Sequence, residues 1–173
     1  QYSNQTNINL GNNKEIKPVD DYKYYLGAKL VIPSEIDINT FKENLRLNNL
    51  TAKIYTGKSE KTTGQVKQDD ILKIYDGDNL IQDIPINIMF SSYFEDNVLY
   101  KAIVDAYNKE NKTSLPYTTT LTDEQLSTIT RVNYSGYDKP SNEKIISAKG
   151  LEKLTNLTYL SLYSNNISKI DVS

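Results

Sequence analysis

Histidine and cysteine, which carry much of enzyme chemistry, are both missing from the 173 residues. The usual general base, thiol nucleophile and zinc ligands go with them, so catalysis would have to run on carboxylates, Lys, Tyr or Ser. The nearest paired carboxylates are Asp69-Asp70 and Asp123-Glu124. Adjacent strand residues face opposite ways, and the second pair suits the positive end of a helix. Glycoside hydrolysis needs two carboxylates facing each other across a cleft, which neither pair offers. No catalytic residue, cofactor site or metal site is assigned on these grounds.

Binding chemistry is better represented. The phrases Ala52-Lys53-Ile54-Tyr55 and Leu72-Lys73-Ile74-Tyr75 each put an apolar pair on one strand face and Lys plus Tyr on the other. Tyr55, Tyr75, Lys53 and Lys73 then form an aromatic and basic strip. Such a strip could stack sugar rings, or could serve only as cross-strand pairs that stabilise the sheet. Asp76-Gly77-Asp78-Asn79 clusters oxygen atoms of the kind calcium takes, but it lacks the spacing and distal Glu of an EF-hand loop. Asp-Gly-Asp-Asn is ordinary hairpin chemistry, and that reading is preferred to calcium.

Charge narrows the partners. Twenty Lys+Arg stand against 22 Asp+Glu with the signs interspersed, so there is no basic stripe for nucleic-acid phosphates. No apolar run approaches the roughly 18 residues that a membrane-spanning helix needs. No basic-then-apolar signal segment opens the chain, and any export signal is expected to have been removed. Without cysteine there is no disulfide framework.

These groups must be positioned by elements. Residues 1–20 are polar, Asn-rich and without apolar periodicity, and read as a disordered linker. Residues 21–90 read as a small β-rich module. A strand over Tyr25–Ile32 ends at Pro33, and Asn39 or Thr40 caps a short helix over Phe41–Leu47. The two phrases above follow, then a last strand, Leu80–Ile88, which Pro85 assigns to a sheet edge. The pattern is β-α-β-β-β. Residues 91–130 read as a helical cap. Val98, Leu99, Ala102, Ile103 and Ala106 form one helical stripe, and Thr122 with Gln125 has the spacing of a capping box before a helix that buries Leu126 and Ile129.

Residues 131–173 carry the most specific motif. Leu157, Leu160, Leu162, Asn165 and Ile167 match the leucine-rich-repeat spacing L-x-x-L-x-L-x-x-N-x-I. In such a coil Leu160 and Leu162 point inward from a short strand, and the Asn165 amide satisfies backbone groups at the bend. Leu151 and Leu154 extend the apolar series upstream. An imperfect earlier copy runs Ile129, Val132, Tyr134. The outward positions are Tyr159, Ser161 and Tyr163, with Arg131 and Asn133 on the earlier copy. They are either the first partner contacts or solvated rungs, with the binding surface in repeats expected beyond Ser173.

With these residues the stretch Phe94–Asp171 resembles the internalin-like leucine-rich-repeat surface proteins of Gram-positive bacteria. The likeness rests on Leu121–Leu126, Gly150–Leu162 and Asn165–Ile170. It implies a helical cap sealing a curved ladder whose concave strands bind a protein partner. Only one regular repeat is present, so further repeats are expected beyond Ser173, and the ligand does not carry over. The first module is similar, more loosely, to small β-rich units of clostridial surface proteins. The resulting expectation is an α+β chain: a small β-α-β-β-β module, a helical cap and the start of a solenoid. Its expected role is a non-enzymatic secreted or cell-surface adhesion scaffold that binds a protein or a surface glycan. The alternative is a targeting region, of carbohydrate-binding kind, within a larger secreted enzyme.

Overall fold

The computed structural model of the chain describes residues 4–5, 7–11, 14–18, 22–25 and 29–167. It divides into two units, Ser3–Ile88 and Met89–Ser173.

In the first unit the strands are β1 (Asn4–Gln5), β2 (Ile8–Gly11), β3 (Lys14–Pro18), β4 (Lys23–Tyr25), β5 (Lys29–Ile32) and β6 (Ile36–Asp37). Helix α1 (Ile38–Glu43) comes next. Then follow β7 (Leu45–Arg46), β8 (Thr51–Thr56), β9 (Ser59–Lys61), β10 (Gln65–Val66), β11 (Ile71–Asp76) and β12 (Asn79–Ile88). Seven of them form one sheet in the order β1-β4-β5-β12-β11-β8-β9. All its pairs are antiparallel except β5 with β12. Strands β2, β3 and β7 make a second sheet, and β6 with β10 a third.

Period-2 alternation explains the core. Ala52 and Ile54 on β8, and Leu72 and Ile74 on β11, are buried while the residues between them are half-exposed. Each fully buried Leu or Ile side chain contributes roughly 1.5–3 kcal/mol. Two-residue turns link the hairpins, with Gly57 and Gly77 at φ +60°. A left-handed first position is what a hairpin of this length asks of glycine.

Four expectations for this unit need correction. The linker reading of residues 1–20 fails for the described ones, because β2 and β3 pair and send Ile8 and Ile16 into the core, both fully buried. The single strand expected over Tyr25–Ile32 is replaced by β4 and β5, which pair antiparallel with Tyr25 opposite Lys29. Helix α1 begins at Ile38 and is capped by Asp37, whose carboxylate accepts from the Asn39 and Thr40 amides. Leu45 belongs to β7, not to the helix. Finally β12 is internal, not an edge strand. Its ladder with β5 begins at Ile86, so Pro85 falls one residue short of any demand for a second-side donor.

The second unit holds α2 (Asn97–Asn111), α3 (Asp123–Ser127), β13 (Arg131–Asn133) and β14 (Tyr159–Ser161), with 3-10 turns at Ser141–Glu143 and Leu151–Lys153. The capping box is present, as Thr122 accepts from the Gln125 amide and the Gln125 side chain accepts from the Thr122 amide. Phe94, Leu99, Tyr100, Ile103, Leu126, Ile129, Val132, Ile145 and Leu154 share one core. Residues of the expected cap and of the expected repeats are therefore interleaved in a single packed body.

Asp96 ties this body together. One carboxylate oxygen caps α2 through the Val98 and Leu99 amides, and the other accepts from the Ile146 and Ser147 amides at 2.7 and 3.1 Å.

The expected α+β chain ending in a leucine-rich-repeat solenoid is overturned. Strand makes up 35% of the structure against 21% helix, divided among several separate sheets, and the described residues form no solenoid. The anticipated ladder reduces to one parallel pair, with Arg131 opposite Tyr159, Val132 opposite Leu160 and Asn133 opposite Ser161. Leu151 and Leu154 are buried, but Leu157, Leu162 and Ile167 only border the core, and Leu160 is 40% exposed. The cause is that β14 is paired on one side only among the described residues, whereas Val132 lies on β13 beside α2. Residues 168–173, which include the end of the stretch carrying the resemblance, lie outside the described residues.

Candidate functional site

The face that gathers the most interaction chemistry belongs to the second unit and is built by α2 and β13. On α2, spacings of three and four bring Ala102, Asp105, Ala106, Lys109 and Glu110 to one side. On β13, Val132 faces the core, so its neighbours Arg131 and Asn133 must project outward. Between the two elements lies a concavity of about 550 Å³, lined by these residues and Tyr134. The two alanine methyls leave the room that longer side chains would fill.

Register sets the rest of the face. Tyr159, 41% exposed, stands opposite Arg131 on β14, and the Arg131 guanidinium lies 3.6 Å from the centre of its ring. Cation–π stacking of this kind holds a long side chain flat and still leaves its N–H edge open. The two carboxylates at the concavity each accept a hydroxyl. Tyr117 donates to Asp105 at 3.0 and 3.2 Å, and Thr130 donates to Glu110 at 2.9 Å. The bond to Asp105, reinforced by its charge and a little burial, raises the pKa of Tyr117, so it stays a neutral donor. Tyr134 is raised too, by burial and then by the charges of Glu143 and Asp96.

The parallel pairing continues past the strands. Tyr134 N–H donates to Ser161 O and Gly136 N–H to Tyr163 O, both at 2.9 Å. Asn165 closes the bend, accepting from the Ile145 amide at 2.9 Å and donating to Tyr134 O at 3.2 Å. The earlier copy, with Ile129 standing 28 residues before Leu157, pairs with the later one at that same offset, Val132 opposite Leu160.

Of the expected partner contacts, Arg131, Asn133, Tyr159 and Ser161 come together on neighbouring strands. Tyr163 is 67% exposed beyond the end of β14. Asp105, Lys109, Glu110 and Tyr134 were not anticipated. The signal for the three α2 residues lies in the helical pattern, where they flank Ala102 and Ala106 at the margin of the apolar stripe that marks the helix.

The strip expected on the first unit is also assembled, but its members satisfy one another. Lys53 lies 5.0 Å over the Tyr75 ring and Lys73 5.0 Å over the Tyr55 ring, the two diagonals of one antiparallel pair. Lys73 also bonds Asp83 at 3.1 Å. This arrangement stabilises the sheet and leaves each ring with an ammonium over one face, which weakens the case for a sugar platform. At the Asp76–Asn79 turn, Asp76 is ion-paired with Lys14. Among the described residues no three acidic side chains gather as a metal site would require. Asp70 is committed as well. It is buried and accepts from Thr56, Lys61 and the Lys67 amide.

No family model matches the chain, and no curated protein or solved structure matches it either.

Proposed function

We propose that the chain is a non-enzymatic recognition module and that the concavity between α2 and β13 receives a polypeptide partner. The observation that carries this reading is the exposed Arg131–Tyr159 stack at the margin of a concavity of about 550 Å³. Arg and Tyr are enriched among residues that dominate binding energy, and a recess flanked by a pre-ordered side chain lowers the entropy lost on association. Ala102 and Ala106 supply apolar floor, while charged and amide groups rim it, the composition usual in recognition sites. A chain without His or Cys, whose buried Asp70 and Asp96 are both spent on structural hydrogen bonds, supports binding over catalysis.

The test is selection of random peptides on the immobilised chain, followed by amide chemical-shift mapping of the selected peptides. Shifts should concentrate in 102–110 and 131–134. Ala106→Met, which keeps the helix and fills the recess, should abolish binding while the circular dichroism spectrum stays the same. Peptides that map to another surface, or bind Ala106→Met as well as wild type, would refute the assignment.

A further inference from the structure

The charges around the concavity are unevenly engaged. Asp105 and Glu110 already accept hydroxyl donors. Among the described residues no ion pair reaches either cation of the same face, Arg131 or Lys109. Arg131 has the Tyr159 ring beneath it, and among the described residues its guanidinium N–H groups make no hydrogen bond. Stacking fixes the plane of the fork, and a planar fork matches the two oxygens of a carboxylate better than any neutral group. Lys109, in the last turn of α2, adds a second positive charge that no anion among the described residues has claimed.

We infer that this face selects a carboxylate carried by an extended peptide, gripped at both oxygens by Arg131 and attracted by Lys109. The inference rests on the recognition reading above and names the chemistry of the partner. The carboxylate has two sources, a free C-terminus or an acidic side chain, and Arg131 would grip both in the same way. Tyr159 acts as a positioning residue, touching the guanidinium and not the ligand.

The experiment titrates the full 15N-labelled chain with two pairs of acetylated hexapeptide pools, randomised over residues other than Asp and Glu. The first pair differs only in a free or amidated C-terminus. The second, amidated throughout, carries a fixed central Glu or Gln. In at least one pair the carboxylate member should shift the amides of 102–110 and 131–134 with affinity about tenfold above its neutral partner, the scale of one charge-assisted bidentate contact. The responding pair identifies the source. Arg131→Lys keeps the charge but removes the fork, and should erase most of that preference. Tyr159→Leu should weaken it severalfold without changing which pool is preferred. Equal binding of charged and neutral pools at these amides would overturn the carboxylate inference and leave the recognition reading standing. Shifts confined to other residues, or none with any pool, would overturn both.

Discussion

Asp96→Ala removes the side chain on which the second unit converges. Its carboxylate is completely buried and accepts from four backbone amides, those of Val98 and Leu99 at the start of α2 and of Ile146 and Ser147 in a segment some fifty residues later. Loss of an N-cap costs about 1 kcal/mol. Each of the two further bonds to a charged acceptor is worth roughly 1.5–3 kcal/mol, and their loss leaves buried donors unsatisfied. The terms share one side chain and are not additive, and removal of a desolvated carboxylate gives part of the cost back, so the expected total is about 3–5 kcal/mol. Asp96→Asn keeps a competent cap oxygen but presents its NH2 to amide donors, and should cost about 2–3 kcal/mol. Native-state hydrogen exchange is the suitable assay, since it reads each unit separately. Opening of the α2 amides and of Ile146 should become at least a hundredfold easier in Asp96→Ala, at about 1.4 kcal/mol per factor of ten. Amides on β8 and β11 should keep their protection. A change of less than about 1 kcal/mol at Ile146, or equal losses for Ala and Asn, would refute the claim that this carboxylate joins the two segments.

Gly150 stands at φ +107°, and a Cβ there would collide with the Phe94 ring, so Gly150→Ala should lose about 2–4 kcal/mol in urea unfolding. Gly77→Ala, with a positive φ but open space around it, should lose only about 1 kcal/mol, and a reversed order would show the packing argument wrong. Asp70 provides a pH test. Burial would raise its carboxyl, but donation from Lys61, the Lys67 amide and Thr56 outweighs this and holds it below the usual carboxylate range. Because the folded value is depressed, the stabilisation is complete above the unfolded value of about 3.9 and disappears as pH falls through the folded one. Lys61→Met should therefore cost about 2 kcal/mol at pH 7, with the gap to wild type closing below about pH 4. A gap independent of pH would refute the ion-pair account.

Local chemistry was legible in the residues alone wherever the deciding neighbours were close in sequence. Gly77 marks a two-residue turn because the left-handed first position of such a turn favours glycine. Thr122 and Gln125 marked a helix start because their bonds close within one turn. The spacing of Asn165 after Leu162 implied an amide turned into a bend, and the 28-residue offset of two short phrases carried the register of β13 on β14. What failed were the inferences about burial and sheet position that depended on which distant element packs alongside. Residues 8–18 are polar enough to look disordered, yet Ile8 and Ile16 alternate correctly for a core supplied by later strands, from Leu30 on β5 to Ile88 on β12. Pro85 reads as an edge marker until β5 is seen to begin its ladder at Ile86. Leu160 fits a repeat as well as Leu151 does, but one is 40% exposed and the other buried, because burial depends on what packs alongside and not on spacing. The candidate site divides in the same way. Alternation on β13 made Arg131 and Asn133 outward in advance, but only the packing of α2 beside that strand brings Lys109, Asp105 and Glu110 to them and makes a recess of the space between.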